Sequence, residues 1–242
     1  MHLSARGQRP SINQKINNSL NKLHTMGLIC SCPAATAIPD IAQVTCPSSF
    51  GQIQKVAFQR LYTGTTRNSF TAANIVTLSA WQTALALATS GKIQVSPYIY
   101  NPTDGGGDAR LTSGGNNDLG GIQEVLGGNS VQFTGQFRDV PQEIIAAIKE
   151  LQCEASVRNL GIYLFDENGQ IEAIKETVST TTTYYPIPIV SLFVGDKIHG
   201  NFDARDSNAI QWNYLPGYSD KLAIIAKPAD WNPLTDLLPA SN

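Results

Sequence analysis

Two loops hold the residues best placed to do chemistry. The first is Gly105 to Gly128, GGGDARLTSGGNNDLGGIQEVLGG, with nine of the chain's 20 glycines. Glycine-rich loops can aim backbone N–H groups at a phosphate. A P-loop needs Gly-x-x-x-x-Gly-Lys-Ser/Thr, and no lysine lies between Gly105 and Gly128. A dinucleotide fingerprint opening at Gly105 and Gly107 needs glycine at 110, where Arg110 stands. It also needs a strand directly before it and a helix directly after. Here Pro102 precedes the run, and the apolar residues that follow are sparse. These features argue against a nucleotide cradle. Two readings remain: a flexible surface loop, or a protein-contacting arm that orders on assembly.

The second loop carries His199, in Gly195-Asp196-Lys197-Ile198-His199-Gly200, with Asp203 and Asp206 nearby. A hydrolytic triad needs a nucleophile, a histidine base and an orienting carboxylate. Nothing in the sequence sets a nucleophile beside His199, and Gly-x-Ser-x-Gly is absent. A solvated loop histidine is the expectation. Asp166 and Glu167 are adjacent carboxylates, but their place in an Asp-Glu-Asn-Gly turn explains them. A glycosidase pair can be distant along a chain, and nothing here marks one. Cys30, Cys32 and Cys46 supply three grouped thiols where zinc takes four ligands. Cys153 is remote, and neither His24 nor His199 has ligand spacing. The sequence therefore predicts no catalytic residue, no cofactor and no metal, with buried or free thiols in a reducing compartment.

The elements that position these loops read mainly as strands. Ile53 to Tyr62 (IQKVAFQRLY) mixes apolar and polar residues on both faces, Phe58, Arg60 and Tyr62 sharing one. Such a strand can meet a neighbour as well as a core. A helix is expected within 71–90, with Ser79 as cap, Trp81, Leu85 and Ala88 as its stripe and Gly91 as its end. Lys92 to Tyr100 alternates as a strand with Pro97 at an edge or bulge, and Ser130 to Phe137 alternates again. Pro141 to Glu154 is the clearest helix, capped by Asp139, with Ile144, Ile145, Ile148 and Leu151 as its apolar stripe. Leu160 to Ile174 reads as a hairpin around Asn168-Gly169. Thr177 to Val194 is strand material interrupted by Pro186 and Pro188. Ala209 to Tyr214 and Lys221 to Ala226 are the last strands, joined by a turn at 215–218. Trp231 and Leu234 clamp the C-terminal segment. Strands in hairpins point to an antiparallel sandwich or barrel with one main helix and a long loop.

Charge is low, at 15% of 242 residues, and unevenly spread. Low charge suits a protein that packs against copies of itself, and equally a β-rich fold. Arg6, Arg9, Lys15 and Lys22 precede the first acid, Asp40, leaving 13 basic against 19 acidic residues beyond them, a net −6. Four charges without interleaved aromatics are weak support for nucleic-acid binding. Residues 1–45 form an expected extended arm. Within it, 11–26 has helical spacing, and Met26 allows 1–25 to be an upstream extension. Residues 46–242 form one β-rich domain with the loop 105–128. No 18-residue apolar run and no apolar N-terminal core are present, so a soluble, intracellularly made protein is expected.

Three segments resemble virion structural proteins of tailed bacteriophages, most of all tail tube (major tail) proteins of Bacteroides-type phages. They are CPSSFGQIQKVAFQRLY (46–62), VQFTGQFRDVPQEIIAAIKELQCE with NLGIYLFDENGQI (131–171), and NAIQWNYLPGYSDKLAIIAKPADWNPL (208–234). The resemblance implies a β-sandwich or barrel flanked by a helix. It implies hexameric rings joined through their sheets and stacked through a long loop and terminal arms, around a channel through which DNA passes without sequence-specific binding. It further implies a non-enzymatic virion component, made in the host cytoplasm, whose partners are itself, other virion proteins and phage DNA, with no membrane. On that reading Gly105, Gly106, Gly107, Arg110, Gly114, Gly115, Asn116 and Asn117, with Phe58, Arg60 and Tyr62, carry subunit and ring contacts. A neck, head-decoration or fibre-anchoring protein is the alternative, and a carbohydrate-binding module or hydrolase a more distant one.

Overall fold

A computed structural model describes residues 41, 49–116, 118 and 120–237. The expectations placed on 1–40, on Cys30, Cys32 and Cys46, and on Asn117 lie outside the described residues. The strands are β1 (Ile53–Arg60), β2 (Tyr62–Thr63), β3 (Thr66–Arg67), β4 (Phe70–Thr71), β5 (Ile93–Val95), β6 (Tyr100–Gly106), β7 (Ala109–Leu111), β8 (Val125–Gly128) and β9 (Val131–Arg138), followed by β10 (Leu160–Asp166), β11 (Ile171–Val178), β12 (Thr181–Tyr185), β13 (Ile187–Val194), β14 (Ser207–Tyr214) and β15 (Leu222–Ile225). Helix α1 (Leu78–Ala86) precedes β5, and α2 (Gln142–Ser156) precedes β10. The chain is mainly β, as its alternating segments predict: a large antiparallel sheet with two helices.

The sheet runs β4-β12-β11-β10-β13-β14-β9-β6, with β1 added on β10, β5 on β1 and β15 on β11. It forks at β10. One edge of β10 pairs with β1 along its length. The other edge is shared: Leu160–Ile162 pair with β13, and Leu164–Phe165 pair with β11. The segment 181–194 serves both arms, bending at Pro186 between β12 on β11 and β13 on β10. Proline fixes its own φ and offers no N–H, so it suits a corner better than a central ladder. Gly161 faces this corner. A Cβ there would stand 2.7 Å from Leu61 Cδ2 and 2.9 Å from Pro186 Cβ.

Alternation in β1 and β10 feeds two cores. Val56 and Phe58 join Leu160, Ile162 and Leu164 on one face, which α2 covers through Ile145 and Ile148. Ala57 joins Tyr163 and Phe165 on the other, packed by Trp81 and Leu85 of α1 and by Trp231, Leu234 and Leu237. The expected clamp is present: Trp231 Nε1 donates to the Val76 carbonyl at 2.8 Å. The polar residues of β1 are satisfied within the same chain. Lys55 Nζ donates to the Leu234 carbonyl at 2.6 Å and lies 4.2 Å over the Tyr98 ring. Burial lowers its pKa. Gln59 donates to the Gly91 carbonyl and accepts from the Tyr163 hydroxyl.

Several local expectations are corrected. The segment 92–100 is two strands, and β6 continues into the glycine run as far as Gly106, held by Gly105↔Gln132 and Gly106↔Val131. Helix α1 begins after Thr77 and stops at Ala86, with Ala88 exposed and Gly91 well beyond its end. Asp139 does not cap α2; its carboxylate accepts from Arg205 at 2.9 Å, and Pro141 takes the cap position. Strands β14 and β15 do not pair. β14 lies between β13 and β9, and β15 crosses to β11, so the turn at Gly217 is a crossover rather than a hairpin.

Candidate functional site

The described residues divide into two compact units, 109–127 together with Ile41, and the body formed by 49–108 with 128–237. The stretch 109–127 is a built hairpin. β7 pairs with β8, and a bridge joins Gly115 to Gly121. The Asp118 carboxylate accepts from the Gly114 N–H at 2.5 Å and from the Thr112 hydroxyl at 2.6 Å. Thr112 Oγ1 in turn accepts from the Glu124 N–H at 2.9 Å. Gly114, Gly115, Gly120 and Gly121 all have φ between +69° and +75°, a region that glycine enters without a Cβ clash. The glycines therefore shape a tight tip. The Asp118 carboxylate already holds the Gly114 N–H.

The hairpin presents apolar surface. Leu111, Val125 and Leu126 are about half exposed, and Ile122 is 71% exposed. Arg110 lies on β7 and is exposed, as are Gly115 and Asn116, while Gly114 is half-buried. Sequence reasoning picked out the glycines and missed these apolar residues. The signal was available in Ile122-Gln-Glu-Val125-Leu126, the one apolar-rich stretch of the loop.

In the body, β6 ends the sheet. It pairs with β9 and, among the described residues, its other edge has no strand partner. Six of its seven residues are exposed, Gly105 and Gly106 among them, and Gly107 follows directly. The three β1-side candidates separate. Phe58 is 2% exposed and packs inward, so it offers no surface to a neighbour. Alternation gave it a face but could not say that both faces of β1 are covered. Arg60 is exposed and pairs with Glu154 of α2, beside a groove of about 310 Å³. Tyr62 is 39% exposed.

The His199 loop holds a solvent-facing imidazole beside a carboxylate that other groups engage. The His199 side chain is 83% exposed, with Nδ1 3.8 Å from Asp206 Oδ1. Asp206 is engaged by Lys197 at 2.6 Å and the Gly200 N–H at 2.8 Å, which hold its carboxyl below the ordinary range. Asp196 pairs with Lys149, and Asp203 uses its N–H on Asn201. Among the described residues no hydroxyl or thiol hydrogen-bonds to His199. Asp166 is fully buried and organises its turn: Oδ1 accepts from the N–H groups of Asn168 and Gln170, and Oδ2 from the Gly51 N–H. Among the described residues no three His, Cys, Asp or Glu side chains are grouped to hold a metal ion, and no helix is long and apolar enough to cross a membrane.

No family model matches the chain. No curated protein matches it either. Among solved structures it is similar to a chain from the tail of an empty GTA (gene transfer agent) particle computed with helical refinement in C6 symmetry. The identity is 13% and the TM-score 0.32, covering 57% of this chain and 89% of that one.

Proposed function

We propose that this chain is a non-enzymatic, self-assembling subunit of a phage-like tail, and specifically a tail tube protein whose rings of six stack into a channel for DNA. The observation that carries the reading is β6. It is a seven-residue edge strand whose outer edge has no strand partner among the described residues, and the chain runs from it directly into a hairpin with exposed Leu111, Ile122, Val125 and Leu126. An open edge is a template for another strand, and proteins that stay monomeric blunt such edges with lysine, bulges or cover. Lysine is absent from β6 (YNPTDGG); Pro102 and a register shift between Tyr100 and Thr103 blunt its start, and Thr103–Gly106 is left as the open stretch among the described residues. Exposed apolar side chains grouped in one short unit mark a protein-contacting surface. Edge pairing would close rings, and the hairpin 109–127 with residues 27–50 would join one ring to the next. Gly105, Gly106, Gly107, Arg110, Gly114, Gly115, Asn116 and Asn117, with Arg60 and Tyr62, remain the proposed contact residues.

The test is electron microscopy and sedimentation of the full chain and of a variant with 109–127 replaced by a two-residue Asn-Gly turn. Residues 105–106 stay in place because they pair with β9. The full chain should form rings or tubes, and the variant should fold but not stack. A full chain that remains monomeric both in solution and in particles, or a variant that still forms tubes, would refute the reading.

A further inference from the structure

The loop between β13 and β14 presents the most exposed large apolar side chain among the described residues. Phe202 is fully exposed, and Ile198 on the same loop is 63% exposed. The loop is firmly built. Ile198 and Ser207 exchange both backbone hydrogen bonds, at 2.8 and 3.0 Å. The Asp206 carboxylate accepts from the Gly200 N–H and pairs with Lys197. Arg205 pairs with the Asp139 carboxylate, and the Asp206 carbonyl accepts from the Asp139 N–H, which ties the loop to the segment ahead of α2. A pinned loop loses little freedom when another surface closes over it, so its apolar area converts efficiently into binding.

The hairpin 109–127 carries a second apolar cluster, Leu111, Ile122, Val125 and Leu126. The two clusters are attached at opposite ends of β14. The Phe202 loop runs into Ser207, the first residue of that strand. β6 ends at Gly106 opposite Val131, and Val131 pairs with Tyr214, the last residue of β14. The chain leaves for the hairpin just beyond Gly106. Across the eight residues of β14 the two attachment points stand roughly 23 Å apart.

A cluster that met its own copy would make a two-fold pair that closes on itself. Two different clusters at opposite ends of one strand match head to tail instead, and such a heterologous contact repeats from copy to copy. Phe202 is left uncovered by the described residues of its own chain. We propose that the hairpin of one copy packs Leu111, Ile122, Val125 and Leu126 onto Phe202 and Ile198 of the next copy along the stack. This rests on the reading of the chain as a stacking subunit, and it names the surface that receives the hairpin.

The first experiment is photo-cross-linking of tubes assembled from the full chain carrying Phe202→p-benzoylphenylalanine, in an equal mixture of isotope-labelled and unlabelled protein, read by peptide mass spectrometry. Cross-links should fall on residues 109–127 and should join labelled to unlabelled chains. Cross-links confined to one chain, cross-links to 195–206 of a second copy or to any other surface, and tubes without cross-links each overturn the proposal. The second experiment measures the lowest protein concentration at which tubes sediment. Phe202→Ser and Leu126→Ser should each raise it about tenfold or more, the loss expected for an apolar anchor. The double variant should lose little beyond either single one, because both remove the same contact. The urea midpoint of the Phe202→Ser subunit should be unchanged, since the ring it removes is fully exposed. Tubes formed by Phe202→Ser at the concentration of the unaltered chain would overturn this contact and leave the tube reading standing. A full chain that never forms tubes would remove the tube reading, and this contact with it.

Discussion

Replacing Glu172 with glutamine should stabilise the folded subunit above pH 7 and leave it nearly unchanged at pH 4.5. The carboxyl is half-buried on β11, where burial comes first, then Asp104 and Asp166, in raising its pKa from 4.5 to about 7. The folded chain therefore holds this proton more tightly than the unfolded chain does. The stability tied to that proton is fully present below pH 4.5 and is lost as pH rises through 7. At ~1.36 kcal/mol for each pH unit between the two values, the full cost of ionising Glu172 in place is about 3 kcal/mol. The side chain keeps contact with water, and screening reduces the expected cost to ~1–2 kcal/mol. Glutamine keeps the shape and never ionises. Urea unfolding of both proteins from pH 4.5 to 8.5 in phosphate without amines measures the difference directly. With a slope of ~2–3 kcal/mol per molar, the variant's midpoint should lie ~0.5 M higher at pH 8.5 and coincide at pH 4.5. Parallel stability curves across the range would refute the reasoning, because the charge on Glu172 would then cost the folded state nothing.

Three further substitutions test the packing. Gly161→Ala should cost ~1–3 kcal/mol by urea unfolding, because its Cβ would stand 2.7 Å from Leu61, 2.9 Å from Pro186 and 3.1 Å from the Ile187 carbonyl at the corner of the sheet. Asp166→Ala should lower stability by ~2–4 kcal/mol, since it strands the N–H groups of Gly51, Asn168 and Gln170; unchanged hydrogen exchange in 166–170 would count against it. Trp231→Ala should cost ~3–5 kcal/mol and expose the C-terminal segment to protease, because its ring packs against Trp81 with centroids 6.3 Å apart.

Local chemistry was readable where one stretch of chain settles the matter. The hairpin β10–β11 follows from two apolar runs around Asn168-Gly169, and Gly169 has the positive φ, 78°, that the turn requires. Helix α2 follows from Ile145 and Ile148 at helical spacing, and both are buried against the sheet. The clamp by Trp231 and Leu234 follows from large apolar residues in an otherwise polar tail. Caps were less readable. Asp139 suits a cap by type, but Arg205, 66 residues away, claims its carboxylate.

The sequence by itself determined that the chain is mainly antiparallel β with one strong helix, and that the glycine run lacks the residues of a P-loop or a dinucleotide turn. Period-two alternation and turn residues act over a few positions, so they can be read in order. Strand partners were decided only by the tertiary structure. β15 joins β11 rather than β14, β6 reaches into the glycine run, and Phe58 turns inward because β1 is covered on both faces. A cavity of about 300 Å³ lined by Asp104, Glu172 and Tyr214 is the clearest case. Asp104, Glu172 and Tyr214 come from three strands and share no motif, and they meet because β6, β11 and β14 pack around one space. Alternation states which residues share a face; which face meets which is fixed by packing between segments far apart in the chain.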